Sequence, residues 1–423
     1  MSRRTPHPPT RLSSALLPDP SLSARRRSVL GATAATIAAM GVPGVGIGAA
    51  ASGAPVLIGL DGEFGHQSST SAEAILQGTQ IAIEEIKAAG GVLGGRRLEV
   101  IKRANSSVPA RSVANLREFA SMPDLVAVYC GRFSPTVLEG LPEIHRLGLP
   151  LLNPWAAADA IVDHGLTPNF VFRLSLKDSW AAPTMLKHLA GLGRRRVGML
   201  MLNTSWGRST KTYAELSVGR FKGLSLAGVQ WINWDDTVES IAAKVASLRE
   251  SGADALLLTA NAEEAALLCK AQLQMPVGDR LPVASHWGVS GGNLPQLVGP
   301  GLHDLSFAVV QTYTFIGDTS ATARRVVASH NRLFGTRSER DIVSPVGVAH
   351  AYDLTHLLAG ALSIAGSTDR QAVRNALERS RPYAGLIKHY RQPFTPTRHE
   401  ALDLSDVFMA RYARRDGALE RIR

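Results

Sequence analysis

Short apolar runs and helical patterns alternate along the chain from about residue 55. One apolar run, residues 149–152, stops at Asn153-Pro154, and an earlier run, residues 125–130, ends in the loop 131–136. The residues between them, 137–147, have helical spacing. Proline has no N–H to continue a strand ladder. We therefore predict a βαβ unit whose two loops lie side by side where open parallel sheets bind ligands.

The same alternation predicts the rest of the fold. Further strands are expected at 56–60, 98–101, 170–173, 197–202, 229–233, 255–259, 282–285 and 305–314, with short strands in the tail 383–423. Helices are expected at 71–89, 110–120, 210–226, 238–251, 263–274, 321–334 and 346–365. Two such series, joined by extended hinge crossings, predict an α/β protein with two doubly wound lobes. We assign 55–173 with 311–381 to the first lobe and 174–310 with 382–423 to the second.

Residues 1–54 have the pattern of an export signal. Arg25-Arg26-Arg27 precedes a weakly apolar stretch rich in Ala and Gly, and Ala49-Ala50-Ala51 provides small residues for cleavage. This order is typical of a twin-arginine signal. A membrane anchor is the alternative, but glycines and Pro43 make the segment too weakly hydrophobic. We predict a periplasmic protein without a stable membrane span in the mature chain.

The formal charge of +11 raises the question of nucleic-acid binding. Six arginines and one acid, Asp19, lie in residues 1–54, so much of the excess belongs to the signal segment. The other basic residues are scattered and are not interleaved with aromatic residues as a stacking surface requires. We predict no nucleic-acid partner. Cys130 and Cys269 lie on a strand and a helix, and we interpret them as buried thiols without a disulfide.

Several short motifs resemble those of a known family. The stretch 77–95, with its Gly90-Gly91 turn, resembles the first-helix signature of the branched-chain amino-acid-binding (Leu/Ile/Val-binding) proteins. Phe172-Arg173, 204–207 and 351–353 fall where that family has matching motifs, and the resemblance covers nearly all of residues 55–423. The family consists of type I substrate-binding proteins of ABC transporters. It implies the type I periplasmic-binding-protein fold and a cleft that closes on a small molecule.

The resemblance also implies site residues. Ser134 is similar to the serine that binds the ligand carboxylate, as a loop leading into a helix N-terminus can; an ordinary helix cap is the alternative. Trp206 is similar to an aromatic that covers the ligand. Trp155, Ala156 and Ala157 fall on the neighbouring loop, where the family has small and hydroxyl residues. We expect the ligand body between Trp155 and Trp206, with its anionic end on Ser134.

The family holds an amino group with an acid near His286-Trp287, and this chain has none there. An ammonium group needs a carboxylate or a ring face. The expected wall is therefore aromatic and mostly neutral, and we expect a carboxylate or amide rather than an α-amino acid. The remaining predicted ligand residues are Arg132, Phe133 and Asn261, with Arg132 as a possible carboxylate partner or a solvated surface residue.

Motifs for catalysis or metal binding are weak. Residues 288–292 match the letters of a Gly-x-Ser-x-Gly elbow around Ser290, but Gly291, Gly292 and Pro295 argue against the helix that must follow, so we expect a flexible loop. His350, Asp353 and His356 are spaced for local pairing and lack further metal ligands. We predict no catalysis, no cofactor and no metal.

Two functions remain open at this stage. The first is an exported solute-binding protein that delivers a small organic ligand to an ABC permease in the inner membrane. The second is a periplasmic sensor whose closed form docks to a signalling partner, because both functions use the same hinge closure. A hydrolase built on Ser290 is a third, weaker alternative.

Overall fold

The first of two large sheets is fully parallel. The computed structural model describes residues 53–66 and 68–422. This sheet has the order β2-β1-β3-β4-β5. Its strands are β1 (Val56–Gly62), β2 (Leu98–Ala104), β3 (Leu125–Cys130), β4 (Leu151–Asn153) and β5 (Val171–Arg173). The strand order reverses between β1 and β3, so the sheet has a topological switch point there.

The second sheet has seven strands in the order β14-β13-β10-β9-β8-β6-β7. Its strands are β6 (Arg196–Leu202), β7 (Ser225–Ile232), β8 (Ala255–Thr259), β9 (Val283–Ser285), β10 (Phe307–Gln311), β13 (Phe408–Tyr412) and β14 (Leu419–Arg421). The strands from β6 to β10 are parallel, and β13 and β14 join antiparallel. The switch point lies between β6 and β8. A separate antiparallel hairpin is formed by β11 (Tyr383–Ala384) and β12 (His389–Tyr390).

Helices cover both sheets, as an α/β core requires. The helices on the first sheet are α1 (Ser71–Ala88), α2 (Pro109–Ser121), α3 (Ser134–Arg146), α9 (Ala321–Phe334), α10 (Pro345–Ala365) and α11 (Arg370–Leu377). Those on the second are α4 (Asp178–Gly191), α5 (Ser205–Val218), α6 (Val238–Glu250), α7 (Ala262–Leu273) and α8 (Leu294–Val298). We call each sheet with its helices a lobe. The predicted fold class is confirmed.

The chain passes between the lobes three times. The first crossing, 174–177, leads from β5 to α4, and the second, 312–320, leads from β10 to α9. The third follows residue 402, because Glu400 still pairs with Arg173 of the first lobe, whereas β13 lies in the second sheet. Residues 383–402 therefore pack on the first lobe, and we propose that the second lobe's last segment begins near 403 and not at 382.

Helix α1 packs closely against α10. A Cβ atom at Gly78 would lie 2.1 Å from the carbonyl oxygen of Val348, so this crossing requires glycine. At Gly360 on the same α10 helix a Cβ atom would meet nothing within 4 Å. Close contact at Gly78 lets α1 cover the long apolar helix α10, and most residues of α10 are buried. A helix that is apolar on most of its faces needs such a covering partner.

Four expectations differ from the structure. Helix α4 was not predicted, because Pro183 inside it breaks the helical pattern. Helix α11 was not predicted either; Asp369, which accepts the Ala372 N–H at 2.7 Å, caps it. Helix α5 covers Ser205–Val218 and not 210–226, because Thr204 caps its start and glycines follow its end.

The fourth difference concerns the segment around Ser290, for which we expected a flexible loop. Trp287–Gly291 is instead a buried 3₁₀ helix, and the short helix α8 follows it. Within 53–66 and 68–422, every helix is too short or too polar to cross a bilayer.

Candidate functional site

The switch points of the two sheets face one cavity. In the first lobe Arg132 and Phe133 follow β3, and His66 lies between β1 and α1. In the second lobe Thr204 follows β6 and Asn261 follows β8. Open α/β sheets bind ligands at such points, because the loops that diverge there leave a crevice. The sequence-predicted βαβ unit thus lies at the site.

The cavity has a volume of about 760 Å³. This lies within the range of pockets that bind small organic ligands. The first lobe lines it with His66, Ser106, Ser107, Arg132, Phe133 and Pro135. The second lobe lines it with Ser205, Asn233, Trp234, Asn261, Glu263 and Glu264. A ligand in the cavity would therefore contact both lobes.

Arg132 is held in place by both lobes. Its Nη1 donates to the carbonyl oxygen of Gly291 in the second lobe at 2.6 Å, and its Nε lies 3.8 Å from Glu63 Oε1. Glu63 is buried after β1, and a Cβ at Gly131 would lie 2.4 Å from it. The absence of a side chain at Gly131 thus leaves room for this carboxylate beside the guanidinium. The Arg132 charge is balanced before any ligand enters.

Two aromatic side chains meet across the opening. The Phe133 and Trp234 rings lie 6.1 Å apart in an edge-to-face arrangement, one ring from each lobe. The Trp234 side chain follows β7 and remains 65% exposed. An exposed indole at the opening offers a stacking face to a ligand. Trp234 was not among the predicted ligand residues, although its position after an apolar strand was a usable signal.

Carboxylates line the second-lobe wall, so the expectation of a wall without acids is wrong. Glu263 accepts a hydrogen bond from Ser68 of the first lobe, and its Oε1 lies 3.8 Å from His66 Nδ1. Glu264 is buried, and burial raises its pKa. Both follow Asn261 in the first turn of α7, where acids are favoured by the helix dipole. The expectation failed because it considered only the acid position near His286.

Four ring side chains fill the interior between the lobes. The Trp155 ring lies 5.5 Å from that of Trp287, and the Trp206 ring lies 4.9 Å from that of His286. All four residues are at most 4% exposed, and none lines the cavity. A Cβ at Gly347 would lie 2.8 Å from Trp155, which shows how tightly the indole is enclosed. The predicted placement of a ligand between Trp155 and Trp206 is therefore not available in this structure.

Residues of the β3 and β4 loops bond to one another. The Ser134 hydroxyl oxygen accepts the N–H groups of Ala157 and Ala158, each at 3.2 Å. Asn153 accepts the Trp155 N–H at 2.9 Å and donates to the Ala156 carbonyl at 2.7 Å. These bonds explain the sharp turn at 153–156. Ser134 joins the two loops and does not cap α3, whose N-cap position is Phe133. The contact of Ser134 with a ligand stays a prediction, as do those of Ala156 and Ala157.

Comparison with known proteins decides the family. A family model described as "Periplasmic binding protein" matches residues 55–413. This chain belongs to the periplasmic binding protein family. The resemblance drawn from the sequence motifs is confirmed. Belonging to a family of binding proteins also fits the expectation that the chain is not an enzyme.

Individual proteins are similar to this periplasmic binding protein at low sequence identity. Leu/Ile/Val-binding protein homolog 8 of Brucella abortus (strain 2308) is 25% identical over 293 residues, covering 65% of this chain and 70% of the relative. A type 1 periplasmic binding protein from Bordetella pertussis Tohama I has a TM-score of 0.77 at 21% identity, covering 87% and 99% of the two chains. An R. palustris solute-binding protein in complex with 4-hydroxybenzoate has a TM-score of 0.72 at 16% identity, covering 87% and 96%.

A buried hydrogen bond of this periplasmic binding protein joins the start of α4 to the residue after β9. His286 Nε2 lies 2.9 Å from Asp178 Oδ1, and both side chains are fully buried. Burial raises the pKa of Asp178, against the lowering effect of His286. Thr210 also donates to Oδ1 at 3.2 Å. His286 thus lies in the interior of the second lobe, and Asp178 is the acid near it that sequence proximity could not reveal.

The side chains of the candidate catalytic and metal-binding motifs are hydrogen-bonded to other parts of the protein. Ser290 donates to the Trp287 carbonyl at 2.6 Å and accepts from Gln311 at 3.0 Å. His350 bonds to Thr312 and to the Pro154 carbonyl, and Asp353 accepts the N–H groups of Leu386 and Ile387. Across 53–66 and 68–422, side chains do not form a cluster suited to a metal ion. Cys130 and Cys269 are buried free thiols whose pKa values are raised by burial.

Proposed function

We propose that this protein is the exported solute-binding component of an ABC importer, which holds a small organic ligand in the interlobe cavity and delivers it unchanged to a permease in the inner membrane. The observation that supports this is the cavity at the facing switch points, lined from both lobes. A site shared by two lobes couples ligand binding to their relative position. Periplasmic location and twin-arginine export are part of the same proposal.

Contacts between the lobes support closure around a ligand. The Gly291 carbonyl of the second lobe accepts both Arg132 Nη1 and the Thr70 N–H, the latter at 2.9 Å. Ser68 reaches Glu263 in the same region. These bonds lie at the cavity edge. The three crossings lie outside the two sheets, and the second and third contain a turn at 316–317 and a 3₁₀ helix at Leu404–Asp406. Rotation about the crossings would break these bonds, together with the contacts of Trp155 with Trp287 and of Ser344 with the Ser290 carbonyl, and open the cavity.

The relatives do not identify the ligand of this protein. One relative is named for leucine, isoleucine and valine, and one structural neighbour holds 4-hydroxybenzoate. Our sequence-based preference for a carboxylate or amide lacking an α-amino group depended on a wall without acids. Glu263 and Glu264 remove that reason, so we propose a small organic ligand and derive its charge below.

Solution scattering tests closure directly. A thermal-shift screen of the purified protein with organic acids, amines, amino acids and amides identifies a stabilising ligand, because ligands of the folded state stabilise it by mass action. At saturation that ligand should reduce the radius of gyration. A screened compound without a thermal shift should leave the scattering curve unchanged.

A matched pair of variants tests whether the ligand binds in the cavity. Leu267, which lines the cavity, is changed to Trp to fill it, and the exposed Leu216 of the same lobe is changed to Trp as control. Leu267→Trp should abolish the ligand's thermal shift, and Leu216→Trp should preserve it. An unchanged radius of gyration at saturation, or full binding by Leu267→Trp, would contradict the proposal.

A further inference from the structure

The charges facing the cavity are unequal. Among the described lining residues, Arg132 is the one lysine or arginine, whereas Glu263 and Glu264 are both acids. Glu63 lies beside Arg132 and offsets it. Arg111 at the rim donates to Ser106 at 3.0 Å but is exposed to solvent, which screens its charge. The interior of the cavity therefore has an excess of negative charge at neutral pH.

The guanidinium of Arg132 is already partly engaged by the protein. One of its five N–H groups donates to the Gly291 carbonyl, and its Nε faces Glu63. The side chain is 7% exposed and its charge is offset by Glu63, so it attracts a carboxylate ligand less than a free guanidinium would. Ser134, the other expected anion partner, is buried away from the cavity.

The two glutamates are suited to a cationic donor. Ionised carboxylates only accept hydrogen bonds. Glu264 accepts one, from the Asn261 N–H at 3.1 Å, and Glu263 accepts one from Ser68. Each has acceptor positions left on the wall of a cavity, where bonds to a charged donor are strong. Acids at the start of α7 also stabilise the helix through its dipole. Measuring ligand binding therefore distinguishes a ligand-binding role of the two glutamates from a purely structural one.

The aromatic pair at the opening fits the same kind of ligand. Phe133 and Trp234 present ring faces and edges on opposite lobes, 6.1 Å apart. An exposed indole attracts cations through its ring and packs against flat apolar groups. The pair would cover the apolar part of a ligand whose charged end points toward α7.

We propose that the cavity binds an organic amine: a protonated amino group held by Glu263 and Glu264, with an aromatic or aliphatic body placed against Phe133 and Trp234. This inference depends on the proposed solute-binding function and assigns the ligand's charge. It places the amino group at the start of α7 and not near His286, where the interior is filled by indole rings.

Pairs of ligands that share the same body but end in either an ammonium or a carboxylate group test this assignment. Phenethylamine and 3-phenylpropanoate, tryptamine and 3-indolepropanoate, and hexylamine and heptanoate are titrated calorimetrically into the purified protein. In at least one pair the amine should bind about tenfold tighter or more than the acid, the effect of a charge-assisted hydrogen bond. Scattering with the best ligand should show closure.

Variants connect the preference to the two glutamates. Glu263→Gln, at a half-exposed position, and Glu264→Gln should each weaken the amine about tenfold or more. Glu250→Gln removes one carboxylate from the exposed end of α6 and should leave binding unchanged. Melting temperatures without ligand show whether each variant is folded, and Glu263→Gln keeps the test valid if Glu264→Gln unfolds.

The outcomes separate the two proposals. If acids bind and no amine binds more tightly than its matched acid, or if Glu263→Gln binds amines normally, the cation assignment is overturned while solute binding stands. If no amine binds but another screened compound causes closure, the assignment is again overturned alone. If no compound binds or changes the scattering curve, both proposals fail.

Discussion

At the scale of single residues, Arg173 joins the first and third crossings. It is fully buried at the end of β5 and donates to both carboxylate oxygens of Glu400, at 2.9 and 2.6 Å. Its Nη1 also donates to the Ala158 carbonyl at 2.8 Å. A buried, bidentate pair of this kind positions two chain segments that are far apart in sequence.

Removing this guanidinium should destabilise the protein strongly. Arg173→Gln leaves the buried Glu400 with Lys177 alone, 3.9 Å away, to balance its charge, and breaking such a buried pair costs up to about 3–5 kcal/mol. Urea unfolding followed by tryptophan fluorescence measures it. Arg103→Gln, which breaks the exposed pair with Glu118, is the control and should have a much smaller effect. Equal losses in the two variants would show that the buried pair has no special role.

Asp353 gives a pH dependence of known sign. Burial raises its pKa to about 6, although the N–H groups of Leu386 and Ile387 and the Tyr390 hydroxyl oppose the shift. The unfolded chain releases this proton near the ordinary value of 3.8 and the folded protein near 6. The folded state therefore binds more protons between these pH values, and its stability falls as pH rises from about 4 to about 6.

Asp353→Asn should remove this part of the pH dependence. The free energy of unfolding of the wild type, relative to the variant, should fall by up to about 3 kcal/mol from pH 4 to pH 6 and then stay level. The variant is less stable at every pH, because an amide nitrogen would face a backbone N–H. The slope with pH is thus the test, and parallel stability curves would contradict it.

Residue identities alone predicted some of the site. Arg132, Phe133 and Asn261 follow apolar strands, and the structure brings all three to the cavity. Trp155, Trp206 and Trp287 were expected at the site from the family resemblance, yet they are buried against partners distant in sequence, which no local pattern reveals. Glu263 could have been predicted from the sequence, since it lies two residues after Asn261.

At the scale of secondary-structure elements, the contact between α1 and α10 depends on glycine. Gly78→Ala would place a methyl group on the Val348 carbonyl, and overpacking of this kind costs about 1–3 kcal/mol. Gly360→Ala on α10 meets open space and should stabilise the helix by about 0.5–1 kcal/mol. Thermal unfolding of both variants measures the difference. Similar shifts in the same direction would contradict the close packing.

Elements were predictable where the apolar period was uninterrupted. Strands β3 and β8 and helix α9 cover the predicted residues, because their apolar runs have clear polar or turn boundaries. Helix α4 was missed because Pro183 lies in its interior, and the start of α5 was misplaced because the Thr204 cap was not recognised. Tertiary burial, which sequence patterns do not show, stabilises α4 despite the proline.

At the scale of the whole molecule, export is the property to be tested. Arg26 and Arg27 lie outside the described residues, and their role is argued from sequence. Replacing both with lysine should leave the precursor in the cytoplasm if the twin-arginine route is used. Cell fractionation and immunoblotting measure the distribution. Normal export of the variant would show that another route is used, without bearing on ligand binding.

The three crossings also limit how the protein can fold during synthesis. The first sheet needs α9 to α11 and residues 383–402 to cover it, and the second gains β13 and β14 after residue 402. Neither lobe is complete when the ribosome has made the first three hundred residues, although domains usually fold one after another from the N-terminus. A chain truncated near residue 400 would leave β10 as an open edge, where another strand can add. Such fragments should aggregate rather than accumulate as a folded half-protein.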